Sequence, residues 1–430
     1  MWSMKEPETM RRDLAIDATR GLAIWSMITA HFGTGTILAT PTHSFPYVDG
    51  MSVFVMLSGL VLGMVYHRWI DRHTLMFAYL KLIKRLAVLY LCQLTIALVA
   101  VAAAMAGHRW LTGLLTIDSW ADGLRLAVTM QYLPIGGNIL LLYMILMASM
   151  FVLLPMLRRG WWPVVLGASL ALYVYSQFHS PDWFYITAHK AAPRTENWAA
   201  WQIMFIPALV VGWNWERWRL RDHIDRWLVA IVAAAYGVAM IFRHVIDTGP
   251  LAHLEPHFAD KLDFAPARAI GAWIAVAAIY GVFRLVLKWM HRDWLRPLVM
   301  TGARSLDSYV IQAVALVMVP LHVAHQPWTK NTAAAAALLV FGLCWGWAEV
   351  RRAAHIDKLH RVPMILASSM FDRGNPRGRR RPAPDTTGDL SVAPDAPVSR
   401  SRGPEPHDPE PRDPDDPERS RDPMTAGVSR

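Results

Sequence analysis

Apolar runs of about twenty residues, separated by short charged connections, recur through most of the first 350 residues of this chain. No other feature narrows the possible folds as much. A hydrocarbon core ~30 Å thick is crossed by about 20 residues rising ~1.5 Å each. Inside it every backbone polar group must be bonded within the protein, so only helices and closed barrels cross. These runs are apolar all round, unlike the one-sided stripe of a soluble amphipathic helix. With 54% apolar residues and a mean hydropathy of +0.25, the fold class expected is all-α, a polytopic integral membrane bundle of about ten transmembrane helices.

The expected spans are Asp17 to Leu38, Tyr47 to Tyr66, Ala78 to Ala106, Ile139 to Leu157 and Trp162 to Phe178. They continue with Trp198 to Trp215, Trp227 to Phe242, Ala267 to Leu287, Leu306 to Val323 and Thr332 to Trp347. Between His108 and Pro134 the run Leu124 to Val128 is interrupted by Asp118, Asp122 and Arg125, and it reads as an interfacial helix.

Positive charge orients the chain, because cytoplasmic connections are enriched in Lys and Arg. Lys5, Arg11 and Arg12 precede the first span, and Arg68, Arg72, Lys81, Lys84 and Arg85 follow the second. Arg158, Arg159, Arg217, Arg219, Arg221, Arg226, Lys288, Arg292, Arg296, Arg304, Arg351, Arg352, Lys358 and Arg361 continue the series in alternate connections. Both termini are therefore expected in the cytoplasm, with the chain multi-pass in the membrane. The net charge of +10 is accounted for by topology and anionic headgroups, so no nucleic-acid partner is invoked. The first span is expected to act as an uncleaved anchor, since no small-residue cleavage site follows a short apolar core. Many of the Trp residues fall at span ends, as an interfacial belt does. Cys92 and Cys344 lie inside spans without metal-ligand spacing and read as packing residues.

Three regions follow. Residues 1–13 form a cytoplasmic N-terminus and 14–350 the transmembrane domain. Residues 351–430 form a cytoplasmic tail, rich in Pro, Arg and Asp and expected to be disordered, because it holds too few apolar side chains to offset its ordering entropy.

Chemistry has to come from polar residues within the spans, where a charge is costly and faces the bundle interior. In the first span Asp17 and Arg20 are three residues apart and share a helix face. Arg20 and His31 lie near one face, about three turns and ~16 Å apart along the axis. Arg20 can snorkel to headgroups, and His31 can be a bonded core residue. Histidine at that depth is equally suited to proton transfer. The connection His179 to Asn197, with Asp182, His189, Lys190 and Glu196, reads as a solvated loop. The one around His253, Glu255 and His257 is not the two-histidine helical zinc motif, because Pro256 interrupts it. No metal is expected.

Beyond these physical readings, Arg20 and His31 with ten residues between them resemble the signature of the acyltransferase family 3 clan, and most closely its OpgC branch. "RRDLAIDATRGLAI", "VDGMSVFVMLSGLVLG", "LPIGGNILLLYMILMASMFVLLP", "WAAWQIMFIPALVVGW", "DKLDFAPARAIGAW" and "GARSLDSYVIQ" are similar to that branch's segments in the same order, over roughly residues 11 to 350. The acidic residue common before the first-span histidine is replaced by Thr29-Ala30, and Gln312 stands where the wider clan has histidine.

The resemblance implies a membrane O-acyltransferase that moves an acyl group, in this branch succinyl, from a cytoplasmic acyl-CoA to an envelope carbohydrate such as a periplasmic glucan. No cofactor is bound, since the acyl-CoA is a substrate. The partners implied are the lipid bilayer, the acyl-CoA and the carbohydrate acceptor. On this reading His31 is the base or acyl carrier, and Arg20 grips a donor phosphate or carboxylate with Asp17 orienting it. Lys84, Arg85 and Arg304 are candidate contacts for donor phosphates, and Arg268 is the candidate for the carboxylate of a succinyl group. Gln202 and Ser305, in two of the matched segments, join them as substrate-binding positions. A transporter or flippase acting without chemistry is the alternative. It would use the same polar residue types, but its usual repeats and broken helices in matching halves are not found.

Overall fold

The structure, a computed structural model, describes residues 13–43, 45–106, 117–134, 136–186, 195–247, 249, 259–290, 292–318 and 329–354. The chain divides into two units, Met1–Val362 and Pro363–Arg430. All described residues belong to the first. The tail expected after residue 350 lies outside them, except that the last helix runs on to Ala353.

The described residues contain no strand beyond an isolated bridge between Tyr185 and Asn197. The helices are α1 (Leu14–Phe32), α2 (Thr40–His43), α3 (Gly50–Arg72), α4 (Leu75–Met105), α5 (Trp120–Val128), α6 (Gly137–Ala148), α7 (Met150–Arg158) and α8 (Trp162–Phe178). They continue as α9 (Trp198–Trp213), α10 (Leu220–Ile241), α11 (Pro266–Trp289), α12 (Arg296–Ala303), α13 (Ser305–Met318) and α14 (Lys330–Ala353).

Their starts follow ordinary capping chemistry. Asp13 caps α1, Thr74 caps α4 and Asn197 caps α9, each side chain accepting from a backbone N–H of the first turn. Asp49 and Ser52 form a reciprocal capping box on α3. Proline opens α8, α11 and α12, where its missing N–H costs nothing.

Among the described residues six helices are long and apolar enough to cross a membrane: α3, α4, the α6–α7 pair, α10 with its π-helical extension, α11 and α14. Length and composition alone therefore do not reach the expected count of ten. The α9 and α13 helices are apolar but shorter, with 16 and 14 residues. The α8 helix has only 17 residues, and α1 carries Asp17, Arg20 and His31 among its 19. The α5 helix, nine residues long, is too short to cross, as its charges suggested.

Several expected boundaries move. The first span stops at Phe32 instead of Leu38, because Gly33 caps it and Gly35 takes a left-handed φ of 78°. The fourth breaks at Ser149, and the helix of the ninth starts at Ser305, where a separate short helix, Arg296–Ala303, ends just before it.

The α3 helix is buried over most of its length, whereas α10 buries little beyond Ala235 and Ala239. Large apolar side chains such as Val229, Leu339 and Trp289 point outward, 84, 65 and 77% exposed. A surface of that kind is expected against lipid and is costly in water. At the centre, α1 runs between α3 and α12. A β-carbon added at Gly302 would fall on the Asp17 carbonyl, and one added at Gly21 on the Leu298 carbonyl. Only glycine lets the backbones of α1 and α12 come this close. The α3–α9 crossing repeats the device with Gly59, Gly63 and Gly212.

Candidate functional site

Antiparallel packing gives the bundle two ends. Where α1 starts, Asp13 accepts from Tyr280 (2.9 Å) and pairs with Arg221 (3.2 Å), while Arg284 forks onto Asp225 and Arg296 onto Glu349. This is the basic end. Where α1 finishes, a different set of polar groups gathers.

His31 stands in the last turn of α1, partly exposed. The charged groups whose fields reach it are Lys261 and Asp49. Those two form an ion pair of 3.1 Å, their side chains 52 and 24% exposed. Asp49 divides its carboxylate between two tasks. One oxygen accepts from the Ser52 N–H and hydroxyl at the start of α3 (both 2.9 Å), and the other meets Lys261. A carboxylate that heads α3 thus reaches His31 through its field, where the first span offers no acidic neighbour. No hydrogen bond to the His31 ring occurs among the described residues.

Lys261 is held in place by the turn before α11. Asp263 accepts from Tyr185 (2.7 Å) and Asn197 (2.9 Å), and its carbonyl accepts from Gln177 (2.8 Å). The Phe264 carbonyl accepts from Tyr173, and the Phe264 ring packs on Trp201 at 4.3 Å. Phe264 takes a φ of 43° to make this turn, a strained conformation for a bulky residue that its anchors hold in place. Arg268 donates to the Ala259 carbonyl (2.6 Å) and the Tyr47 carbonyl (3.0 Å), with its guanidinium over the Tyr47 ring. It joins this cluster, and its charge reaches Asp49. The hydrogen bonds it makes serve loop carbonyls.

The other expected residues separate from His31. Asp17, 4% exposed, is buried in the α1–α12 crossing, and Arg20 lies one turn along. Arg304 and Ser305 sit at the α12–α13 break, directly after Gly302, which touches Asp17. These four form a group at the basic end, about three turns from His31.

Arg85 belongs to neither group. Ten residues into α4, it is ~15 Å along that helix from its start, inside the bundle. Tyrosines surround its guanidinium: it donates to the Tyr143 hydroxyl (3.5 Å), and Tyr66 is close enough to interact. Its Nε and the Tyr66 hydroxyl are buried without a hydrogen-bond partner among the described residues. Lys84, by contrast, points outward.

Gln202 is 1% exposed, and both ends of its amide are taken up by Ser169 on α8, at 2.6 and 2.8 Å. That pairing makes it a clamp between α8 and α9 in place of the substrate contact expected. His189, Lys190, His253, Glu255 and His257 lie outside the described residues. Glu196, expected in a solvated loop, is 6% exposed and accepts twice from Asn138 at 2.8 Å. Among the described residues no cluster has the makeup of a metal site.

An all-helical membrane bundle with a histidine beside an ion pair at one end, and half-buried arginines toward the other, is the class these features define. The chain belongs to the OpgC protein family, whose model matches residues 12–356. Membership makes it an acyltransferase-like membrane protein. No curated protein and no solved structure matches it.

Proposed function

We propose that this protein is a membrane O-acyltransferase that transfers an acyl group, succinyl in the first instance, from a cytoplasmic acyl-CoA to a hydroxyl of an envelope glucan. The observation that carries the reading is His31, at the end of α1 beside Asp49 and Lys261, in a chain of the OpgC family. Imidazole takes the proton of a sugar hydroxyl as that oxygen bonds to the acyl carbonyl carbon. The carbon–sulfur bond then breaks, and the departing thiolate receives a proton. On this reading the Lys261 ammonium favours negative charge developing on the carbonyl oxygen.

The arginines distribute along the donor. Arg20 and Arg304 lie where phosphates of an acyl-CoA would arrive from the cytoplasm. Arg85, buried with tyrosines and no carboxylate partner among the described residues, offers an anion contact inside the bundle. The ~16 Å from Arg20 to His31 is a span that an extended pantetheine arm covers. Both termini lie in the cytoplasm of the inner membrane on this reading, so that His31 faces the carbohydrate.

Mass spectrometry of envelope glucans from cells with and without the chain tests the proposal. Acyl substitution is expected only with it, and is lost in His31→Ala. Unsubstituted glucans in both cells, with the protein present in the membrane, would overturn it.

A further inference from the structure

A cleft of about 480 Å³ opens at the basic end between α1, α10 and α11. It is separate from the His31 cluster at the far end of α1. Its lining has two chemistries: Arg221, Arg284 and Lys288 with Asp13 and Asp225 on one side, and apolar carbon from Leu14, Leu228, Leu285 and Leu287 on the other.

The carboxylates are already engaged. Asp225 holds the fork of Arg284, and Asp13 is shared among Tyr280, Arg221 and the Ala15 N–H. Donors remain unused. The Arg221 Nε is buried with no acceptor among the described residues, and the Lys288 ammonium, whose charge reaches Asp225, lies over the Trp289 ring at 6.0 Å. Three cations against two carboxylates leave one positive charge, and the spare N–H groups ask for an anionic oxygen.

Depth and outlook name the source of that oxygen. Trp227 and Trp289, 58 and 77% exposed, flank the cleft on α10 and α11, at the level where tryptophans sit among headgroups. Beyond them the outward faces of the same helices are apolar: Val229, Val282 and Leu285 are 84, 41 and 47% exposed. A ligand here has its charged group among arginines and lysine, and its next atoms against leucine.

We propose that the cleft is a binding site for an anionic phospholipid, its phosphate held by Arg221 and Lys288 and its acyl chains lying along α10 and α11. A soluble phosphate offers the same oxygens without the chains. The inference is independent of the acyltransferase reading, since the test involves no turnover.

The full chain in neutral detergent, followed by its intrinsic tryptophan unfolding, is titrated with phosphatidylglycerol, phosphatidylcholine, inorganic phosphate and coenzyme A. Phosphatidylglycerol is expected to raise the midpoint at concentrations where phosphatidylcholine does not. Each cation removed, Arg221→Gln or Lys288→Gln, is expected to weaken the apparent affinity about fivefold, and the pair about 25-fold, which corresponds to ~1 kcal/mol per basic residue at the surface. Arg226→Gln, an exposed cation of α10 outside the lining, should leave it unchanged. If Arg221→Gln fails to fold, Lys288→Gln alone decides, because that side chain is exposed. Equal shifts from both lipids, an equal loss in Arg226→Gln, or a shift from inorganic phosphate matching that of phosphatidylglycerol would each overturn the proposal. So would a coenzyme A shift that Lys288→Gln abolishes, since coenzyme A held at Arg20 and Arg304 shifts the midpoint irrespective of Lys288.

Discussion

The two ends of α1 are built on opposite principles. At the basic end Asp17 and Gly21 meet Gly302 and Leu298 through backbone contact, with no side chain between the helices. At the other end Gly33 and Gly35 stop the helix, and His31 is left partly exposed beside a charged pair from α3 and the turn before α11. One end fixes position, and the other presents chemistry. Membrane helices pack by shape because lipid supplies no hydrophobic drive between them.

Removing the reactive group is the severest way to test that division. His31→Ala should lower acyl transfer ~10²–10⁴-fold, the usual cost of losing a general base, while the unfolding midpoint in detergent stays near that of the parent. A fall in the midpoint with most activity per folded molecule retained would break the comparison, because His31 would then be a packing residue.

At the tight end the opposite pattern is expected. Gly302→Leu forces side-chain atoms into the Asp17 carbonyl, and overpacking of this kind costs ~1–3 kcal/mol or more when backbone must move. Expression and thermal stability should drop sharply, measured by fluorescence-detected gel filtration after heating. Normal stability in Gly302→Leu would show that α1 and α12 have room to part.

Arg20 lies between the two extremes. Arg20→Lys keeps the charge and loses the planar fork, and giving up one charge-assisted hydrogen bond of ~1.5–3 kcal/mol should raise KM for the donor roughly tenfold or more with little change in stability. Full activity in Arg20→Lys would make Arg20 a topological charge only.

The sequence made Asp17, Arg20, Arg304 and Ser305 visible at the basic end, and His31 and Arg268 at the other, but hid the ion pair beside His31. His31 stood out because histidine in an apolar run is rare for a physical reason. Asp49, although read as part of a pattern, gave no sign of reaching His31, and Lys261 comes more than two hundred residues after Asp49. Spacing along one helix says nothing about such pairs. The break at Ser149 was hidden because apolar composition runs straight through it, and Gln202 misled because a polar residue in a span can serve a neighbouring helix as well as a substrate. The stop at Phe32 was missed in favour of Leu38, although Gly33-Thr34-Gly35 is an ordinary helix-ending sequence.

The smallest expected effect concerns the ion pairs of the basic end, and it sharpens the claim that backbone contact holds α1 there. Arg296 and Glu349 form a two-pronged pair between α12 and α14, at 2.7 and 2.9 Å, with side chains 46 and 25% exposed. Its geometry is as good as a surface pair offers, yet solvent screening limits such pairs to about 0–1 kcal/mol. The pair also ties α12 to α14, leaving the α12–α1 contact to glycine. A double-mutant cycle of Arg296→Gln and Glu349→Gln, read as unfolding midpoints at low and high salt, should give a coupling of at most ~1 kcal/mol that shrinks as salt screens it. A coupling several times larger, unmoved by salt, would mean that charge rather than close backbone packing secures this end of the bundle.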